Sequence, residues 1–486
     1  MRLVFLGVSV LIFIYSCTSA PKTEEYTPPV ASDLSGKELA TLHCGSCHMF
    51  PEPASLPRNV WVNRVLPNMG LRLGHGDYMI EMMKYSQEEM LAIMESGVYR
   101  EKPIIAKEDW DKIVAFYSEN SPEELTDVPA EKKNELLSFD SNVLPIEASE
   151  VVMTIFEPTK KQFKVSTSNP SMLYTLDNKG KKIDSANSSS PITDFKIDSK
   201  IGSIVLESGI LNPSDLAKGK LVISGKAKVE GLHRPVSLLR SDLNNDLIQD
   251  FVICNFGNNA GDLMWVDGKN LEKYVLAKQP GARIAYEVDF NKDNKKDLLV
   301  LFSQGKESIV LFENKGDHRF EPKTILEFPS FFGSTFFELK DIDQDGDLDI
   351  IYTNGDNADL SIIKKPFHGL RIYENDGKNQ FSEKYFYRIN GASKVITDDF
   401  DLDGDLDFAV ISVFPIEVNE GFLFFENTGK YQYKVSSKKN VSDQKWLTMD
   451  VADFDNDGDK DIILGAFTRN ENTNKPSVLI LKNNLK

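Results

Sequence analysis

Asp399-Phe400-Asp401-Leu402-Asp403-Gly404-Asp405-Leu406-Asp407 puts a carboxylate at every odd position of nine residues and a glycine at the sixth. The same frame recurs at Asp341 to Asp349 and Asp453 to Asp461, and in looser form at Asp289 to Asp297 and Asp242 to Asp250. First residues of successive copies lie 47, 52, 58 and 54 apart, the period of one propeller blade or a similar supersecondary unit. Each copy runs straight into an apolar stretch: Phe251-Val252-Ile253, Leu298-Leu299-Val300, Ile350-Ile351, Phe408-Ala409-Val410 and Ile462-Ile463-Leu464. A second strand and an Asn-x-Gly turn follow at Asn314, Asn375 and Asn427.

Oxygen ligands at positions one, three, five and nine, with a main-chain carbonyl at seven, can wrap a Ca²⁺, which takes six to eight hard oxygens. The candidate ligands are Asp341, Asp343, Asp345 and Asp349; Asp399, Asp401, Asp403 and Asp407; and Asp453, Asp455, Asp457 and Asp461. The looser copies offer Asp289, Asn291, Asp293 and Asp297, and Asp242, Asn244, Asp246 and Asp250. Gly346, Gly404 and Gly458 permit the sharp turn at position six, and Asn294 tolerates a left-handed conformation. Leu247 does not adopt one readily, so the first copy is the weakest site. Three Ca²⁺ are expected, and up to five. The loops hold 21 acidic residues, which repel one another without metal, so Ca²⁺ should stabilise this region.

The pattern of strand, acidic loop, strand and Asn-x-Gly turn resembles the FG-GAP/VCBS repeats of integrin-α-like β-propellers. The acidic loop itself resembles a shortened EF-hand loop, but no long helices flank it. The stretch from Val151 to Val229 is also strand-rich and long enough for two blades without metal loops. Five plus two predicts an all-β propeller of seven blades over 146–486, with six or eight as alternatives. Ring closure would remove exposed sheet edges.

Cys44-Gly45-Ser46-Cys47-His48 is a second signal. Two thiols three positions apart can each form a thioether with one haem vinyl group, and the following imidazole can bind the iron: the attachment signature of one c-type haem. A chain with 4 cysteines and 6 histidines has no second cluster to complete a zinc tetrahedron. Residues 32–125 read as helical. Ser35-Gly36-Lys37-Glu38 and Ser86-Gln87-Glu88-Glu89 are capping boxes, Gly97 can end the second helix, and Trp110, Ile113, Val114 and Tyr117 mark a final one. A helix leading into CxxCH and an aromatic-bearing last helix resemble a class I cytochrome c. That resemblance implies a small all-α domain whose terminal helices pack together over the haem. Met69, in the loop-like stretch Leu66-Pro67-Asn68-Met69-Gly70, is the favoured sixth iron ligand. Another methionine, His75 or His43 are the alternatives. Met79, Met82, Met83, Met90 and Met94 read as pocket or core filler.

Arg2 precedes an apolar run too short to span a bilayer comfortably. The run ends in Ile14-Tyr15-Ser16-Cys17, which resembles a bacterial lipobox. This predicts a lipoprotein signal peptide at 1–16, lipidation of Cys17, a polar tether at 17–31 and a charged linker at 126–145. Cys254, in an apolar run, is then the one cysteine without a role, an inert buried thiol. The formal charge of −18 argues against nucleic acid as a partner. Together these features predict an exported, lipid-anchored electron carrier rather than a catalyst, held at the outer membrane and facing the periplasm or the surface. Its propeller would dock an unidentified redox partner, or a protein or glycan ligand. Two alternatives are a quinohaemoprotein dehydrogenase and a glycan-binding or lyase propeller with an accessory haem. Only 4 tryptophans are present and none recurs in a repeat frame, which argues against the quinoprotein.

Overall fold

The computed structural model describes residues 26–129, 131–148, 150–358, 363–415, 419–468 and 475–484. The expected signal peptide and Cys17 lie outside the described residues. Among the described residues, no helix is long and apolar enough to cross a membrane.

The helices of the described chain lie between Gly36 and Asn120: α1 (Gly36–Cys44), α2 (Arg58–Val60), α3 (Leu66–Arg72), α4 (Tyr78–Met82), α5 (Gln87–Ser96) and α6 (Lys107–Asn120). The Ser35 hydroxyl accepts from Glu38 N and the Glu38 carboxylate accepts from Ser35 N, so α1 starts with a complete capping box. A Cβ on Gly36 would meet Lys112 O at 2.3 Å and Phe116 Cβ at 2.9 Å, so α1 crosses α6 at backbone contact. Trp61, Ile113 and Tyr117 fill the core beside this crossing, with the Trp61 and Tyr117 rings 4.4 Å apart. The polar tips are satisfied: Trp61 Nε1 donates to Pro53 O at 2.9 Å and Tyr117 Oη to Pro51 O at 2.8 Å.

Two local expectations are corrected here. The stretch around Met69 is helical rather than loop. Pro67 has no N–H, but it occupies the first turn of α3, where an N–H is not needed. A π turn at Trp61–Val65, closed by Leu66 N to Trp61 O, leads the chain into that turn. The second capping box is only half formed. Ser86 Oγ accepts from Glu89 N at 3.2 Å, but the Glu89 carboxylate turns elsewhere.

The rest of the chain forms seven sheets arranged as the blades of a β-propeller. Blades 1 to 7 begin at Val151, Ile192, Pro235, Ala282, Ser334, Ala392 and Trp446. First strands of successive blades lie against one another around the axis. Strand Phe139–Val143 pairs antiparallel with Val478–Asn483 and completes blade 7, while Asn134–Glu135 adds to the edge of blade 6. Part of the expected linker therefore belongs to the propeller. The reason is the unpaired outer edge of the last blade, which an N-terminal strand covers. Phe139 is fully buried and packs on Phe400 and Phe424 of blade 6.

The acidic loops join first to second strands in blades 3 to 7, and each second strand is buried throughout. A separate apolar cluster fills each space between neighbouring blades. Around the axis, inner-strand carboxylates clamp the next blade. Asp194 accepts from Leu238 N at 2.9 Å, Glu338 from Thr397 N at 2.8 Å and Asp450 from Phe156 N at 2.7 Å. Cys254 is buried in blade 3, and burial raises its thiol pKa far above the ordinary value.

Candidate functional site

Cys44 is the last residue of α1, part-buried, while Cys47 is exposed just beyond it. Burial pushes the Cys44 thiol up to about 11, with the nearby Tyr117 hydroxyl opposing the shift. His48 Nδ1 lies 2.9 Å from Met49 O. A carbonyl only accepts, so Nδ1 carries the proton and Nε2 is the ring's basic nitrogen. Met69, half-buried on α3, packs against the same apolar cluster as Cys44, Phe50 and Trp61.

The alternative histidines are placed differently. By the same argument His75 donates from Nε2 to Ile105 O at 3.1 Å. Its buried ring stacks on Trp110 at 5.8 Å, and desolvation lowers its pKa. His43 sits in the last turn of α1. Of the methionines read as filler, Met82 is buried, but Met79, Met83 and Met94 are exposed.

The helical segment sits on one end of the propeller. The Glu89 carboxylate accepts from Ser214 Oγ at 2.8 Å and from Asp215 N at 2.5 Å. Arg72 Nη2 donates to Asn259 Oδ1 at 3.3 Å, Lys218 pairs with Glu88, and Phe331 and Ile363 pack on the helical core. All these propeller residues lie in connections from second to third strands or between blades. The acidic loops are connections from first to second strands. Since strand direction alternates, the two sets emerge at opposite ends of the ring. The CxxCH segment and the acidic loops therefore face opposite ways.

The acidic loops share one internal geometry. In the third copy Asp341 accepts from Asp345 N at 3.1 Å and Gly346 N at 3.0 Å, and Asp345 from Asp347 N at 3.0 Å. Asp349 uses both oxygens, accepting from Ile342 N at 3.0 Å and Asn375 N at 2.8 Å. The ninth-position residues Asp250, Asp297, Asp407 and Asp461 do likewise. Position six is left-handed in all copies, with φ of 69° at Leu247, 65° at Asn294, 96° at Gly346, 97° at Gly404 and 102° at Gly458. Leu247 thus takes the conformation that its side chain disfavours, while 89% exposed. Position four is also left-handed throughout, at Asn245, Lys292, Gln344, Leu402 and Asn456. No residue type recurs there to announce it.

Three groups bring carboxylate oxygens within 4.8 Å of one another: Asp341, Asp343 and Asp349; Asp399, Asp401 and Asp403; Asp453, Asp455 and Asp461. Asp345, Asp407 and Asp457 belong to the same loops but stand outside these groups. Burial, with neighbouring carboxylates adding, pushes Asp349 and Asp461 up to about 6 and Asp407 up to about 7. In the looser copies the charge is offset by lysines: Lys295 reaches Asp293 at 3.2 Å and Lys269 reaches Asp246 at 3.9 Å. Asn244 donates to Asp267 and Asn291 to Glu313.

Two sets of residues were not legible beforehand as parts of these sites. Side-chain amides tie the loops of blades 3, 4 and 6 to the next blade: Asn314 Nδ2 to Leu243 O at 2.9 Å, Asn379 Nδ2 to Phe290 O at 3.2 Å and Asn483 Nδ2 to Phe400 O at 2.8 Å. The recurrence of asparagine in the turn after the third strand was the available signal. Glu89 and Arg72, which hold the helices to the propeller, carry none.

Comparison with curated protein sequences returns no match. Similar solved structures include the N-terminal domain of Nup159, with 12% identity, 72% of this chain and 97% of that chain covered, and a TM-score of 0.40. The β-propeller domain of Myceliophteria thermophila Cps50 (Swd1) has 11% identity, coverage of 70% and 99%, and a TM-score of 0.42. Saccharomyces cerevisiae Sqt1 has 11% identity, coverage of 72% and 99%, and a TM-score of 0.43. The FG-GAP-like repeat family matches residues 289–352 and 399–464, the acidic loops and strands of blades 4 to 7. This chain carries FG-GAP-like repeats built into a seven-bladed β-propeller.

Proposed function

We propose that this chain is an exported, lipid-anchored c-type cytochrome that transfers electrons, and that its propeller is a Ca²⁺-stabilised docking platform. Cys44 and Cys47 would hold haem by thioethers, with His48 and Met69 as the residues that would bind its iron. The observation that carries the reading is the placement of CxxCH at the end of α1, with Cys44 and Met69 on one apolar cluster. Three further facts fit a large apolar group held there. His48 presents Nε2, since Nδ1 is bonded to Met49 O. His75 has its Nε2 engaged by Ile105 O, which favours Met69 over it. Leu42, Met49 and Met79 leave apolar surface exposed on the helical segment.

Haem bound in this way supplies a one-electron Fe(III)/Fe(II) couple, and thioether ligation raises its potential relative to two histidines. The protein's own part is to keep the apolar cluster dry, fix the His48 tautomer through Met49 O and hold Met69 on a helix. On the other end, the three carboxylate groups would each take Ca²⁺, removing the repulsion within each loop. Export and anchoring rest on the residues before Cys17. The test is acid–acetone extraction of the purified protein after expression with haem-attachment machinery. Covalent haem retained on the chain is expected, and its complete loss would sink the cytochrome reading. Growth with labelled fatty acid should label the wild-type chain and not Cys17→Ala; an unlabelled wild type would remove the anchor.

A further inference from the structure

Lys133, Glu420 and Asn390 come from three distant segments and meet at blade 6. Lys133 immediately precedes Asn134–Glu135, the short strand on the outer edge of that blade. Glu420 lies just ahead of its third strand, Phe422–Asn427, and Asn390 just ahead of its first, Ala392–Asp398. The Glu420 carboxylate serves both partners. Its Oε1 lies 3.6 Å from Lys133 Nζ, and its Oε2 accepts from Asn390 Nδ2 at 2.9 Å. Glu420 and Asn390 are 1% exposed and the Lys133 side chain 8%.

Two features set this trio apart from an ordinary buried ion pair. Arg388 Nη2 also lies 3.7 Å from Glu420 Oε1. Among the described residues, Glu420 is the one carboxylate within ion-pair distance of either cation. Two cations therefore share one carboxylate away from water, and the surplus charge is costly to bury. The Asn390 side-chain oxygen is also buried and accepts no hydrogen bond, which leaves a polar group unsatisfied. An amine and a primary amide thus stand at the two oxygens of one carboxylate. Both are fixed by their surroundings. Leu136 N donates to Ser437 O at 2.9 Å beside Lys133, and Ser412 Oγ donates to Asn390 O at 2.5 Å. Such prior positioning is what a slow condensation of amine with amide requires.

We infer that Lys133 and Asn390 form an intramolecular isopeptide bond, with Glu420 carrying the protons. Glu420 takes a proton from the Lys133 ammonium, and the freed Nζ lone pair attacks Asn390 Cγ. Glu420 hands the proton to Nδ2, the Cγ–Nδ2 bond breaks, and the second Nζ proton leaves with the ammonia. The overall change is an ammonium group and a primary amide going to a secondary amide and one free ammonium ion. No oxidant or reductant is involved, and Glu420 ends as it began. A cavity of about 100 Å³ lined by Asn390, Arg388 and Leu125 gives the small leaving group room. The surplus charge departs with it, and Arg388 and Glu420 remain as a balanced pair. The bond staples the segment that leads out of the helices to blade 6, where its edge strand otherwise pairs over two residues.

The test is tandem mass spectrometry of tryptic peptides from the full-length protein. Ile389–Lys394 should be recovered joined through Asn390 to the peptide carrying Lys133, lighter than the two free peptides by one ammonia, about 17 Da. This branched peptide should vanish in Lys133→Arg, which keeps the cation beside Glu420, and in Glu420→Gln. In denaturing electrophoresis the unsubstituted chain should run ahead of Lys133→Arg, because a covalent loop keeps it compact. Full recovery of both peptides as linear species would overturn the bond. So would ammonia loss confined to Ile389–Lys394 without a branch, since Asn390 precedes Gly391 and can also lose ammonia by closing onto the main chain. A branch that persists in Glu420→Gln would overturn the role given to Glu420.

Discussion

The Glu89 carboxylate accepts a hydrogen bond from Ser214 Oγ at 2.8 Å, across 125 positions of sequence. Glu89 sits at the third position of α5, where it would ordinarily return to its own N-cap. It is buried, and with Asp215 N it forms the main polar joint between helices and propeller. Glu89→Ala leaves a buried hydroxyl and a buried N–H without their acceptor. A loss of about 2–6 kcal/mol is expected, from roughly 1–3 kcal/mol for each of the two orphaned groups. Differential scanning calorimetry should show the helical segment melting ahead of the propeller. A single unshifted transition would show that the joint contributes little. Glu88→Ala, which removes the exposed pair with Lys218, should have almost no effect.

Met69→Ala tests the axial ligand separately from haem attachment. Covalent haem should remain, because Cys44 and Cys47 are untouched. The methionine–iron charge-transfer absorption should disappear and the potential should fall. An unchanged spectrum would move the ligand to another residue.

Metal removal should separate the loops by their turns. Chelator should lower the propeller's melting temperature, and Ca²⁺ should restore it. Gly404→Val places a β-branched residue at φ 97°, where nothing lies within 4 Å of the new Cβ. Its cost is therefore backbone strain of about 1–3 kcal/mol, with no clash. Isothermal titration calorimetry should show one Ca²⁺ fewer per chain. An unchanged stoichiometry would remove the Asp399–Asp407 loop from the set of sites.

Leu247 presents the converse case. It is held at φ 69° with its side chain in solvent, so it contributes strain and little packing. Leu247→Asn should raise stability by about 0.5–1 kcal/mol, since asparagine tolerates this conformation. Denaturant melts in chelator would check it free of any effect on metal, and a destabilised variant would refute the strain account.

Glu307 gives a pH dependence away from the acidic loops. It is buried, accepts from Ser334 N at 2.7 Å and Ser334 Oγ at 2.5 Å, and burial pushes its pKa up to about 7. The folded state therefore holds this proton more tightly than the unfolded chain, whose carboxyl titrates near 4.5. The added stability is fully present below about pH 4.5 and is lost as pH rises through about 7. The change is on the order of 3 kcal/mol at most. Glu307→Gln should flatten the melting temperature between pH 5 and 8, and an unaltered slope would assign the dependence to other groups.

The acidic loops were readable because their physics is local. Asp341 bonds the N–H groups of Asp345 and Gly346 within one loop, so nine residues in the right order encode the turn. The blade count was readable from the period of those loops plus the strand-rich stretch after Val151. Local reasoning misplaced Met69, because Pro67 reads as a helix breaker unless the preceding π turn is known. It also paired Glu89 with Ser86, the nearest available partner. The 126–145 stretch looked like a linker because nothing within it shows that Phe139 has Phe400 and Phe424 to bury against.

The amino-acid sequence alone determined the repeat, the carboxylates within each loop and the cysteine pair beside a histidine, since each depends on residues a few positions apart. The closing strand, the partner of Glu89, the Arg72–Asn259 contact and the placement of CxxCH and acidic loops at opposite ends needed the tertiary structure. Those features depend on which surfaces meet when distant segments are buried together, and hydrophobic burial has no direction that a short stretch of sequence can specify.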